Sequence, residues 1–130
     1  NRLESFLPWV DLFLFDIKES NPEKHRAWTG AGNGLILKNL ERLYKRGARI
    51  RVRCPIITGF NYRSDHFAFL HGIRRCLPGL EGLEIMPYHA SWASKTLSLG
   101  QTPRFPDIPG ASDEQTKSWS EDLVIVQGPR

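Results

Sequence analysis

Apolar side chains along this chain switch repeatedly between two periods. Residues 11–18 (DLFLFDIK) alternate and are rich in Phe, Leu and Ile. That pattern predicts a strand buried on both faces, as parallel strands flanked by helices are. A short helix is expected over NPEKHRAW, with Asn21 as its cap and Pro22 in its first turn, stopping at Thr29-Gly30. A second helix follows Asn33 as cap. Ile36, Leu37, Leu40, Leu43 and Tyr44 recur there at helical spacing, and Gly47 stands where a left-handed terminating residue is wanted. Period two returns at residues 50–57, Gly59-Phe60-Asn61 turns the chain, and Ser64 or Asp65 opens a helix bearing Phe67, Leu70 and Ile73. After Pro78-Gly79, residues 83–86 predict a short third strand running into Pro87-Tyr88-His89. Beyond Gly100 the pattern decays into a proline-rich stretch, with a helix expected over residues 112–121 and a last strand over 123–126.

Strands alternating with helices place the chain in the α/β class, with parallel pairing and right-handed crossovers. Three parallel strands are too few to close a barrel. The chain opens on Asn1 rather than Met, with barely ten residues before the first strand, so a longer protein is expected to continue upstream. Exposed edges on such an incomplete sheet predict poor solubility in isolation.

Composition narrows the class further. At 130 residues, 40% hydrophobic and 25% charged, the chain suits one globular domain. Pro8 and Asp11 break the longest apolar runs, so nothing approaches the roughly 20 residues that span a bilayer. No signal-peptide pattern opens the chain, and the expected setting is cytoplasmic, with no membrane partner. The net charge of +4 is scattered. Its densest cluster, between Arg42 and Arg53, divides between a helix end and a strand, which argues against a nucleic-acid partner. Cys54 and Cys76 are too few for a disulfide scaffold or an all-cysteine metal site, and both are expected to be inert core thiols.

In parallel β/α folds ligands bind beyond the carboxyl ends of the strands, so polar residues at those ends carry the chemistry. Asp16 and Lys18 share a face with Leu12 and Leu14, while Phe13, Phe15 and Ile17 take the other. Arg51, Arg53 and Pro55 likewise oppose the apolar set of Ile50, Val52, Cys54 and Ile56. Extending the third strand gives His89 the parity of Ile85 and Pro87, and it is expected to reach the same mouth. Asp16 to Arg53 is 37 residues and Arg53 to His89 is 36, one candidate per strand–helix unit. A carboxylate, an ammonium, a guanidinium and an imidazole suit a zwitterionic ligand: Arg53 or Lys18 for a carboxylate, Asp16 for an amine or a monovalent cation. The alternatives are an ion-pair network that merely closes the barrel end, a phosphate-binding barrel, and a non-catalytic interaction domain. No strand end here carries the glycine-rich loop a phosphate site would use.

DLFLFDIKESNPEKHRAWTG, RVRCPIITGFN and EIMPYH, in this order over about residues 9–100, together resemble the second half of glycyl radical enzyme activating enzymes. That group includes pyruvate formate-lyase activating enzyme and belongs to the radical S-adenosylmethionine proteins. The resemblance implies that residues 1–130 are the C-terminal portion of a partial (β/α)6 TIM-like barrel. It implies S-adenosylmethionine as cofactor, approached by Asp16, Lys18, Arg53 and His89, with Asp16 also near a monovalent cation. None of these four is implied as a catalytic residue. A [4Fe-4S] cluster is implied too, on a Cys-x-x-x-Cys-x-x-Cys loop that this chain does not contain. The implied partners are a pyruvate formate-lyase-like glycyl radical enzyme and an electron donor such as flavodoxin or ferredoxin. The implied activity, a 5′-deoxyadenosyl radical abstracting hydrogen from a partner's glycine, belongs to the intact protein, and this fragment alone is expected to be inactive. The chain departs from the family at Thr58-Gly59-Phe60-Asn61-Tyr62, where Pro-Gly-Phe-Asn-Asp is usual. It departs again at Ser91-Trp92 and Ser94-Lys95-Thr96, which implies altered contacts with the partner enzyme.

Overall fold

A central strand organises the chain because its two faces differ sharply in chemistry. In the computed structural model, which describes residues 2–88, 96–102 and 108–124, strand β2 (Ile50–Ile56) buries Ile50, Val52, Cys54 and Ile56 completely. Arg51, Arg53 and Pro55 on the opposite face are only half-buried. Strand β1 (Phe13–Asp16) and strand β3 (Gly82–Pro87) flank it in parallel, in the order β1-β2-β3. The register is unbroken: Phe13 pairs with Ile50 and Asp16 with Arg53, Arg53 pairs with Glu84, and Ile56 with Pro87.

Helix α1 (Pro22–Thr29) starts as the sequence predicts. The Asn21 side chain accepts from the Lys24 N–H at 2.9 Å, and Gly30 closes the helix with φ +86°, its N–H returning to the Arg26 carbonyl. Helix α2 (Gly34–Lys45) contributes the buried Leu40 and Leu43, and Gly47 adopts the left-handed conformation (φ +76°) expected of it. Helix α3 (Ser64–Cys76) buries Phe67, Leu70 and Ile73. These side chains join the buried row of β2 in one core. Helix α4 (Asp113–Val124) packs against β3 and sinks Trp119 to 1% exposure, its ring 5.0 Å from that of Tyr62.

Four expectations change. Leu14 is 51% exposed, so β1 is buried on one face only. Leu123 and Val124 complete α4 rather than opening a strand, and residues 125–126 lie outside the described residues. Asn33 makes no cap contact with α2, because its amide is engaged elsewhere. Cys76, on the last turn of α3, is exposed rather than a core thiol. The sequence also hid a 3-10 helix over Glu4–Trp9, which contains Pro8. No helix among the described residues is long and apolar enough to cross a membrane.

Candidate functional site

The face of the sheet opposite the apolar core is charged at its centre. Alternation sends Asp16 and Arg53 to the same side, and the register makes them direct neighbours. Arg53 Nε and Nη2 both lie 2.9 Å from Asp16 Oδ1. The pair is about one-third exposed, 33% for Arg53 and 37% for Asp16. An ion pair this open contributes about 1 kcal/mol or less, so it is no major prop of the fold. Both contacts fall on Oδ1, and among the described residues no hydrogen bond engages Oδ2 of Asp16 or Nη1 of Arg53. One step along the same face, Arg51 Nη1 meets Glu84 Oε1 at 3.1 Å. Glu84 was legible from the sequence, since it alternates with Gly82 and Met86, but only the register shows that it stands beside Arg53.

Lys18 follows β1 on the exposed rim, two residues beyond Asp16. The structure thus joins Asp16 to Arg53 and sets Lys18 at the same strand end. His89 lies outside the described residues, as do Ser91, Trp92, Ser94 and Lys95. The described register stops at Pro87, short of His89. The register pairs Ile85 with Cys54 and Pro87 with Ile56, which places Ile85 and Pro87 on the helix-covered side and not on the Asp16–Arg53 side.

Sequence reasoning missed a second cluster just beneath this rim. Glu19 is fully buried, and Arg63 holds both its oxygens, Nη2 to Oε1 at 2.9 Å and Nη1 to Oε2 at 3.0 Å. The Asn21 N–H adds a bond to Oε1 at 2.9 Å. Burial pushes the Glu19 pKa up, but these hydrogen bonds and the adjacent guanidinium outweigh it and hold the carboxyl at about 2. His66, also fully buried, accepts the Ser20 N–H on Nδ1 at 3.1 Å. Desolvation pushes its pKa below the ordinary value, so the ring is neutral, with its proton on Nε2. Asn61 is buried as well and bonds the Lys18 carbonyl at 2.8 Å and the Pro55 carbonyl at 2.6 Å.

The thiols do not fit a metal centre. Cys54 is buried, and desolvation followed by the nearby Asp16 charge pushes its pKa up to about 12. Cys76 ends α3. Among the described residues no group of three or more His, Cys, Asp or Glu side chains could hold a metal ion.

No protein-family model matches the chain. It is 33% identical over 130 residues to the indoleacetate decarboxylase activating enzyme of Tractidigestivibacter scatoligenes, which covers 98% of this chain and 40% of that protein. It is 39% identical over 81 residues to the trans-4-hydroxy-L-proline dehydratase activating enzyme of Clostridioides difficile, covering 62% and 27%. With the benzylsuccinate synthase activating enzyme of Thauera aromatica it shares 32% over 100 residues, covering 76% and 30%. A crystal structure of a domain of pyruvate-formate lyase-activating enzyme from Bacteroides vulgatus superposes with a TM-score of 0.74. It covers 95% of this chain and 68% of that one at 21% identity, which supports the fold alone. The chain spans between about a quarter and two-fifths of the length of these curated relatives. By sequence the chain belongs with the glycyl radical enzyme activating enzymes, of which it corresponds to a part.

Proposed function

We propose that residues 1–130 are the C-terminal portion of a partial (β/α)6 barrel and supply one wall of an S-adenosylmethionine site in a radical enzyme that activates a glycyl radical partner. The observation that carries this reading is the Asp16–Arg53 pair on the open sheet face, in which, among the described residues, one carboxylate oxygen and one guanidinium nitrogen make no hydrogen bond. An ammonium group suits Asp16 Oδ2, and a carboxylate suits Arg53 Nη1 or Lys18. The methionine end of the cofactor carries one of each. Because the Asp16–Arg53 pair is worth little by itself, sharing its charges with a ligand costs the fold little. Asp16 is also the proposed neighbour of a monovalent cation, and His89 the fourth cofactor residue.

The described residues do not fit a [4Fe-4S] cluster, since they hold two thiols, one buried and one exposed, and no group of three or more potential ligand side chains. The cluster ligands are assigned to a part of the protein other than this chain. S-Adenosylmethionine supplies, when bound, the adenosyl group whose radical removes hydrogen from a glycine. The residues of this chain orient that cofactor through its charged end. A reducing partner such as flavodoxin or ferredoxin belongs to the same proposal.

Calorimetric titration of S-adenosylmethionine into the complete protein tests the reading. Lys18→Ala and Asp16→Asn are each expected to weaken affinity by about tenfold, the loss of one charge-assisted contact. Affinities equal to that of the unaltered protein in both variants would overturn it.

A further inference from the structure

The turn that carries Lys18 is held at successive backbone groups by side chains from elsewhere in the chain. The Lys18 carbonyl accepts from Asn61 Nδ2 at 2.8 Å. The Glu19 and Ser20 carbonyls both accept from Asn33 Nδ2, at 3.0 and 2.8 Å. The Ser20 N–H donates to His66 and the Asn21 N–H to Glu19. The Glu19 carboxylate is in turn gripped through both oxygens by Arg63. Arg63 is itself fixed by the Phe60 carbonyl at 2.6 Å and by Asp65 at 3.0 and 3.1 Å. Asn61 completes the tie, since its Oδ1 accepts the Ile57 N–H at 2.7 Å and its Nδ2 also reaches the Pro55 carbonyl. The exit of β1 is therefore bolted to the exit of β2, the strand that bears Arg53.

A bidentate ion pair with one partner wholly buried is an expensive way to stabilise a fold, because desolvation offsets much of the attraction. It is an effective way to fix geometry, because the fork admits one orientation. We infer that Arg63, acting through Glu19, is a positioning residue that sets the Lys18 ammonium at the proper height and distance from Arg53. The inference rests on the proposed role of Lys18 and adds a residue to it. A site whose supporting shell is loosened keeps its groups but loses their alignment, and misplacement by about 1 Å is costly.

The test is a double-mutant cycle on S-adenosylmethionine affinity in the complete, cluster-loaded protein, with thermal melting run alongside. Lys18→Ala is expected to weaken binding. Arg63→Gln is expected to weaken it by about tenfold when Lys18 is present. In the Lys18→Ala background it should change it by less than about twofold, because no ammonium remains to be misplaced. An equal loss in both backgrounds would show a general structural role, and no loss in either would show that the clamp does not position the site. Both results overturn the inference. No effect of Lys18→Ala would instead remove the role of Lys18 on which the inference rests and, together with no effect of Asp16→Asn, would sink the site reading itself, so the two failures are distinguishable. If Arg63→Gln does not fold, Glu19→Gln, which keeps the side-chain shape and an acceptor oxygen, takes its place in the same cycle and the same outcomes decide.

Discussion

Glu19 and His66 are both fully buried and accept from successive backbone N–H groups, those of Asn21 and Ser20, yet they respond to acid in separate ranges. The folded chain holds Glu19 at about 2, against an ordinary glutamate value of 4.5. A carboxyl so depressed contributes fully above about pH 4.5, and its contribution disappears as pH falls toward 2. Complete loss corresponds to about 3 kcal/mol. Burial depresses His66 from 6.5, so the unfolded chain takes up a proton first. Stability therefore begins to fall below about pH 6.5 and continues to fall until the folded imidazole is protonated. Urea midpoints measured against pH are expected to decline in these two ranges. Glu19→Gln should flatten the decline between pH 4.5 and 2 while leaving the upper one in place, and an unchanged lower limb would contradict the proposed ion pairing.

At the scale of elements, two asparagines that look alike in sequence do different work. Asn21 caps α1 through the Lys24 N–H. Asn33 precedes α2 in the same way but spends its amide on the Glu19 and Ser20 carbonyls, 14 and 13 residues away. Replacing Asn21 by Ser keeps a capping oxygen and is expected to cost less than about 0.5 kcal/mol, whereas Asn21→Ala costs about 1 kcal/mol. Asn33→Ser removes a donor that no serine can stretch to replace, leaving two carbonyls without it, and is expected to cost about 1–3 kcal/mol. Denaturant unfolding of the three variants checks the order, and a well-tolerated Asn33→Ser would mean that Asn33 serves α2 after all. The helices and strands were legible because apolar periodicity is a local property: the rows Leu40/Leu43, Phe67/Leu70/Ile73 and Ile50/Val52/Cys54/Ile56 could be read directly and are the core. The Asn33 tie was not legible, since a cap and a cross-loop donor use the same residue type in the same place.

Over the whole molecule, what the sequence concealed is what depends on distant pairing. Asp16 and Arg53 could be assigned to one face by alternation within each strand, and the register makes them partners. The side taken by Ile85 and Pro87 could not be assigned in that way, because the relative phase of β2 and β3 is set by their pairing and not by either strand alone. The Glu19–Arg63 clamp spans 44 residues, and nothing in the local spacing of either residue announces the other.

The strict two-sidedness of β2 also supplies an internal gauge. Cys54 is wholly enclosed, with its thiol kept protonated, while Arg53 beside it faces the opposite way. A one-residue slip in the register of β2 would exchange the two sides, driving guanidinium groups into the apolar layer and bringing the sulfur out. Of the two cysteines of this chain, Cys76 is expected to react with a maleimide in the native protein and Cys54 is not. Alkylation of Cys54 without denaturant, located by peptide mapping, would report slipped strands, so the state of that one sulfur reads the alignment of the sheet without a structure determination.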